Sequence, residues 1–283
     1  MDSFKDLKLS NALQNAIDDL GYEKHTPIQK ESFPVVLSGK NVIGIAQTGT
    51  GKTFAYMLPL LQNMTFTKQV NPRILVVVPT RELVIQVVDN INELTKYMTI
   101  RVNGLYGGVN INTQKQELRN GSDIIVATPG RLYDLTLSRA LNLKSVNKLV
   151  IDEVDVMLDL GFRFQLTNIF ELLSDRRQNI MFSATMTDEI EELIKDFFIA
   201  PEKISIAVSG TPLDNIAQVA YKVENYYTKA NLLRHLLKDK ETFSKTLVFV
   251  SNKRNADRLY EVLGEEFGEE MGVIHSNKSQ NYR

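Results

Sequence analysis

A doubly wound, mostly parallel α/β sheet is the fold this sequence predicts, and three observations carry the prediction. Short β-rich apolar runs alternate with helical patterns along most of the chain, the signature of strand–helix–strand units. The first run, Val42, Ile43 and Ile45, leads through a glycine-rich turn into a helical pattern at Phe54 to Leu61. After turn formers at Val208-Ser209-Gly210-Thr211-Pro212 the alternation begins again, so a second, incomplete unit of the same kind is expected beyond a linker. The domain expectation is a complete sheet domain over 1–208, a linker at 209–213 and a partial second domain over 214–283.

Taken in order, the elements have local reasons. Thr26-Pro27 opens a helix, because Thr can cap and Pro suits the first turn. Strands are predicted at Val42 to Ile45, Ile74 to Val78, Val102 to Tyr106, Ile124 to Ala127, Leu149 to Ile151, Ile180 to Phe182 and Ile204 to Ala207, with helices between them. In the second unit, Thr246 to Val250 and Gly272 to Ile274 read as strands on either side of a helix from about Asn255 to Phe267. Each is a short apolar run bounded by turn formers.

The turn Ala46-Gln47-Thr48-Gly49-Thr50-Gly51-Lys52-Thr53 stands between a strand end and a helix start, the context a phosphate-binding loop requires. Successive backbone N–H groups and the positive end of the following helix surround phosphate oxygens, and Gly reaches conformations other residues resist. Lys52 would reach the outer phosphates and Thr53 a Mg²⁺ ion. Ala46 occupies the position where the pattern asks for Gly, which loosens the match. Asp152-Glu153 follows the apolar run ending at Ile151, and a carboxylate at the C-terminal end of a parallel strand lies where open α/β sheets bind ligands. Asp152 would hold Mg²⁺ through water, and Glu153 would orient or deprotonate an attacking water. Together these residues predict nucleotide triphosphate hydrolysis, with Lys52, Asp152 and Glu153 as its catalytic groups.

Composition narrows the remaining classes. A chain of 283 residues with 43% hydrophobic content suits one full α/β domain and part of another. No apolar run approaches membrane-spanning length, and Met1-Asp2-Ser3-Phe4-Lys5-Asp6 lacks the segments of a secretory signal, so a cytoplasmic location is expected. The absence of Cys rules out disulfides and thiolate metal sites, and His25, His235 and His275 are too scattered for a zinc set. Magnesium is the one metal the sequence suggests. With a net charge of −1, any nucleic-acid surface must be local rather than a basic tail.

The remaining polar motifs add a family resemblance. Gly21-Tyr22-Glu23-Lys24-His25-Thr26-Pro27-Ile28-Gln29, with Phe4 upstream, resembles the Q motif that reads adenine in DEAD-box RNA helicases. Pro79-Thr80-Arg81-Glu82-Leu83, Gly107-Gly108, Thr128-Pro129-Gly130-Arg131, Asp152-Glu153-Val154-Asp155 and Ser183-Ala184-Thr185 follow in that family's order. The resemblance spans essentially the whole chain and implies a RecA-like sheet domain followed by part of a second. It further implies ATP and Mg²⁺ as cofactors, with Phe4, Tyr22, Lys24, Gln29 and the turn Gln47, Thr48, Gly49, Thr50, Gly51, Lys52 and Thr53 holding nucleotide. An amide such as Gln29 can pair with the adenine edge, while Phe4 or Tyr22 can either stack on the base or pack under the N-terminal helix. Thr80, Arg81, Gly108, Thr128 and Arg131 resemble the family's RNA contacts, which read backbone rather than base identity. Asp155, Ser183 and Thr185 resemble the link between nucleotide state and RNA grip.

Two departures bear on function. Val154 stands where Ala is usual, and overfilling a packed site typically costs about 1 to 3 kcal/mol; the expected consequence is in packing and coupling. Val248-Phe249-Val250-Ser251-Asn252 resembles the family's fourth motif, and the segment from His275 to Arg283 the one after it. The 283 residues hold no counterpart of the later Arg-containing motifs. The implied activity is ATP-dependent RNA unwinding or remodelling by a monomer, with these residues binding nucleotide but hydrolysing it poorly. An ATP-gated RNA clamp serving as a scaffold is the alternative, and a DNA substrate is a third reading.

Overall fold

The computed structural model describes residues 3–206 and 216–278. The chain divides into two compact units, Met1–Gly210 and Thr211–Arg283; the expected linker at 209–213 lies outside the described residues.

The first unit starts with a 3-10 turn (Phe4–Leu7), α1 (Asn11–Asp19) and α2 (Pro27–Leu37). There follow β1 (Val42–Ile45), α3 (Lys52–Gln62), β2 (Ile74–Val77), α4 (Arg81–Leu94), β3 (Val102–Leu105), α5 (Ile111–Arg119), β4 (Ile124–Ala127) and α6 (Pro129–Leu137). The unit continues through β5 (Lys148–Ile151), α7 (Val154–Asp159), α8 (Arg163–Leu172), β6 (Gln178–Ser183), α9 (Asp188–Phe197) and β7 (Glu202–Ser205). All seven strands form one parallel sheet in the order β3-β4-β2-β5-β6-β1-β7.

That order explains why the sheet is doubly wound. From β1 the chain steps towards one side, to β2 and β3, and then reverses through β4, β5, β6 and β7. Parallel crossovers are almost always right-handed, so the reversal moves the connecting helices to the opposite face. Alternate strand residues follow suit. Val42, Ile74, Val76, Ile124, Val126 and Phe182 pack with residues of α2, α3 and α4, while Ile43, Leu75, Val77, Ile125 and Met181 pack with residues of α6 to α9. Both faces are therefore covered, which is why β1, β2 and β4 are apolar throughout rather than alternating. At the two edges, β3 and β7 are partly exposed. β1 and β2 send their helices to one face while their neighbours β6, β5 and β4 send theirs to the other. The crevices at their carboxyl ends are thus the places where this topology leaves room for ligands.

Local chemistry matches the elements with instructive exceptions. α2 begins at Pro27, but the Thr26 hydroxyl makes no hydrogen bond. The N-terminus is closed instead by Gln29, whose Oε1 accepts from Thr26 N at 2.9 Å. Gly44 of β1 pairs in register with Phe182, and a Cβ at Gly44 would run into the Phe182 ring. Val154, at the first turn of α7, is completely buried in the core beneath that helix, so the larger side chain is accommodated by packing.

The second unit holds α10 (Tyr226–Leu237), α11 (Lys253–Phe267) and a 3-10 turn (Gly268–Glu270). The expected helix is present, but the expected strands Thr246 to Val250 and Gly272 to Ile274 are not: neither pairs into a ladder among the described residues. A parallel strand is held by hydrogen bonds to neighbours as much as by its apolar side chains, and here Phe249 remains 87% exposed. With Phe243, Leu259 and Leu263 the two segments line an apolar groove of about 730 Å³. Ser279 to Arg283, the end of the last motif, lie outside the described residues.

Candidate functional site

The carboxyl ends of β1, β5 and β6 bring the glycine turn and the acidic pair together. Gly49 and Gly51 take left-handed conformations, with φ of 83° and 85°, and Thr50 Oγ1 donates to Gln47 O at 2.7 Å, closing the turn on itself. Lys52 is the first residue of α3. Its Nζ lies 3.8 Å from Asp152 Oδ1, beyond hydrogen-bond reach. Both atoms are buried with no hydrogen-bond partner. Buried charges are normally paired and hydrogen-bonded because their desolvation is costly. A cation and a carboxylate oxygen left facing each other in this way fit a ligand that carries both phosphate oxygens and a metal ion.

The other oxygen of Asp152 is held. Tyr56, completely buried on α3, donates from its hydroxyl to Asp152 Oδ2 at 3.1 Å. Burial pushes the Asp152 carboxyl up to about 6; the Lys52 ammonium opposes that shift and the Glu153 carboxylate reinforces it. Burial, then the Asp152 charge, raise the Tyr56 phenol well above its ordinary value, so it remains a donor. Glu153 has a left-handed backbone, φ 56° and ψ 49°, at the start of α7. For a residue with a Cβ this costs on the order of 1 to 3 kcal/mol, and such strain gathers at functional sites.

The expected adenine-reading residues divide. Tyr22 is 52% exposed and meets Phe54 edge-on with ring centroids 5.6 Å apart, leaving surface for a base. Phe4 is only 2% exposed and packs edge-on against His25 at 6.0 Å, so in this structure it is core. Lys24 is exposed and bridges in antiparallel fashion to Ser3. Gln29 is buried against the glycine turn, its Nε2 donating to Gly51 O at 3.1 Å. A Cβ on Gly51 would collide with that amide. Gln29 thus ties helix α2 to the turn, a contact the sequence did not announce.

At the ends of β2, β3 and β4 the other motif residues gather. Thr80 caps α4, its Oγ1 accepting from Leu83 N at 3.3 Å. The Arg81 guanidinium lies 4.8 Å from the Tyr106 ring centroid and beside Gly108, whose φ is 81°. Thr128 precedes α6. Arg131 donates to Gln114 Oε1 at 2.6 Å and to Val109 O at 2.9 Å. Gln114, unremarkable in sequence, is what fixes this Arg.

The expected coupling set is only partly assembled. Asp155 Oδ2 accepts from Ala184 N at 3.1 Å, Thr185 N at 3.2 Å and Thr185 Oγ1 at 3.3 Å. Ser183 does not join it: this last residue of β6 turns its hydroxyl into the interior, where it has no hydrogen-bond partner.

Comparison with known proteins bears on the same residues. The family model described as DEAD/DEAH box helicase matches residues 26–193. The ATP-dependent RNA helicase DeaD of Buchnera aphidicola subsp. Baizongia pistaciae is 38% identical over 99% of this chain and 46% of its own length. The ATP-dependent RNA helicase DRS1 of Yarrowia lipolytica is 36% identical over 99% of this chain and 38% of its own. A crystal structure of a DEAD box protein from the hyperthermophile Methanococcus jannaschii aligns with a TM-score of 0.70 at 33% identity, covering 100% of this chain and 75% of that one. The chain spans less than half the length of these two curated relatives. Among the described residues no helix is long and apolar enough to cross a membrane.

Proposed function

This chain belongs to the DEAD/DEAH box helicase family, and from that premise we propose that the whole protein is an ATP-dependent RNA helicase, a cytoplasmic monomer in which RNA-dependent ATP hydrolysis drives local strand separation. The observation that carries the proposal is the buried, unbonded pair Lys52 Nζ and Asp152 Oδ1 at the mouth of a glycine turn.

In this reading the N–H groups of Gln47 to Thr53 and the Lys52 ammonium hold the phosphates of ATP. The Thr53 hydroxyl and Asp152 would hold Mg²⁺, which when bound would neutralise charge on the phosphoryl oxygens. Glu153 orients a water against the γ-phosphorus and takes its proton as the new P–O bond forms and the bond to the ADP oxygen breaks. Tyr22 stacks on the base, and Gln29, already anchored to Gly51, reports on it. Thr80, Arg81, Gly108, Thr128 and Arg131 grip RNA phosphates, and Asp155 with Thr185 links the two grips.

For residues 1–283 by themselves we propose nucleotide binding with slow turnover. An arginine finger is worth roughly 10³ to 10⁵ in rate, and these residues contain no counterpart of the family's Arg-rich motif. Two measurements decide the matter. Fluorescent ATP should bind residues 1–283 and lose affinity in Lys52→Ala, and absence of binding by the unaltered chain would refute the nucleotide reading. A chain extended through the later motifs should separate RNA duplexes with ATP and stop doing so in Glu153→Gln. If it instead retains RNA in an ATP-dependent way without releasing strands, the scaffold clamp is the correct function.

A further inference from the structure

We propose that Tyr56 is a positioning residue of the nucleotide site: its hydroxyl pins Asp152 Oδ2 so that Oδ1 stays turned towards the phosphates and their metal ion. The inference rests on the nucleotide reading above and adds to it a residue outside every motif that carried the family resemblance.

Tyr56 lies one helical turn after Lys52 on α3, so the two side chains share a face of that helix and meet Asp152 from the same side. A phenol buried this deeply is costly unless it makes a hydrogen bond; its hydroxyl donates to Asp152 Oδ2 at 3.1 Å and also meets the Thr53 side chain. Its ring is itself held, packed against Phe182 with centroids 5.6 Å apart. Asp152 is therefore fixed through one oxygen by a rigid donor, while its other oxygen stands 3.8 Å from Lys52 without a hydrogen bond. Without that bond only the Glu153 backbone would restrain the carboxylate, and Oδ1 could swing from 3.8 Å into a direct hydrogen bond with the ammonium. That tighter contact would have to be broken before Lys52 could take a phosphate and Asp152 face a metal ion. A Phe at this position would fill the same space and supply no pin.

The test uses the 283-residue chain, fluorescent N-methylanthraniloyl-ADP, and titrations with and without Mg²⁺. In Tyr56→Phe the affinity gained on adding Mg²⁺ should shrink by about tenfold, the effect of losing one hydrogen bond to a charged group, while affinity without Mg²⁺ stays within about twofold. Expressing the result as a ratio within each variant cancels any change in folded fraction. With Mn²⁺ in place of Mg²⁺, the electron paramagnetic resonance line of the bound ion should differ between the two chains, a readout that altered packing alone would not move. Equal Mg²⁺ enhancement and identical Mn²⁺ spectra in Tyr56→Phe would overturn the role of Tyr56 alone. Failure of the unaltered chain to bind nucleotide at all would overturn it together with the nucleotide reading.

Discussion

Where β1, β5 and β6 end, Lys52 Nζ, Asp152 Oδ1 and Ser183 Oγ are buried without hydrogen bonds. Where β2, β4 and β3 end, Thr80 caps its own helix and Arg131 is bound to Gln114 and Val109. The contrast says how each region meets its ligand. The first is folded around charges it cannot satisfy alone, so a ligand there relieves a standing cost and stabilises the fold. The second is largely satisfied beforehand, with the Arg81 Nε as its buried exception, and a ligand adds to it without completing it.

The largest expected effect breaks the first region only. Lys52→Ala should lower nucleotide affinity on the order of 100-fold, the loss of a charge-assisted phosphate contact in a dry site, and leave RNA retention by filter binding unchanged when nucleotide is absent. A drop in both would mean that the two regions are one.

Next comes a dependence on pH. Asp152 keeps its proton up to about 6 in the folded chain but releases it near the ordinary carboxylate value when unfolded. Its contribution is therefore fully present below the unfolded value and is lost as pH rises through the folded one. Relative to Asp152→Asn, the ligand-free chain should lose about 2 kcal/mol of stability between pH 4.5 and 7.5 in urea unfolding. A flat difference would show that Lys52 already compensates the charge.

In the satisfied region, Arg131→Ala should weaken single-stranded RNA binding about tenfold and reduce the slope of log affinity against log salt by about 1. Nucleotide affinity should be unaffected. An unchanged salt slope would make Arg131 a brace for the segment around Val109 and not a phosphate contact. Smallest of all, Ser183→Ala removes a buried hydroxyl that lacks a partner, so the melting temperature should stay the same or rise, by an amount equivalent to under about 1 kcal/mol. A clear fall would show that the hydroxyl is bonded through water.

Legibility in the sequence followed the physics of each part. Ile74 to Val77 and Ile124 to Ala127 declared themselves as strands because a sheet covered on both faces demands unbroken apolar runs. Thr246 to Val250 shows the same pattern without forming a strand, because an apolar run specifies half of a strand and the ladder supplies the rest. The glycine turn and Asp152-Glu153 were legible because their chemistry is tied to a strand end. Tyr56 was not, since a buried aromatic at helical spacing reads as core until the atom its hydroxyl meets is known. Gln29 stood out for its amide but not for its bond to Gly51, and Gln114 not at all, because each of these contacts spans a distance in sequence that no local pattern encodes. Ser183 is the converse case: its motif suggests a hydrogen-bonded residue, and its hydroxyl is buried without a partner among the described residues.

One small vacancy in the middle of the sheet has a long reach. Gly44 carries no side chain, and the Phe182 ring occupies the space a methyl group would need. That ring leans on Tyr56, and Tyr56 holds Asp152, which follows the strand two places away from Gly44 in the sheet. A methyl group added at Gly44 would therefore press first on a ring that packs against the very phenol holding Asp152, joining the middle of the sheet to the carboxylate through side chains alone.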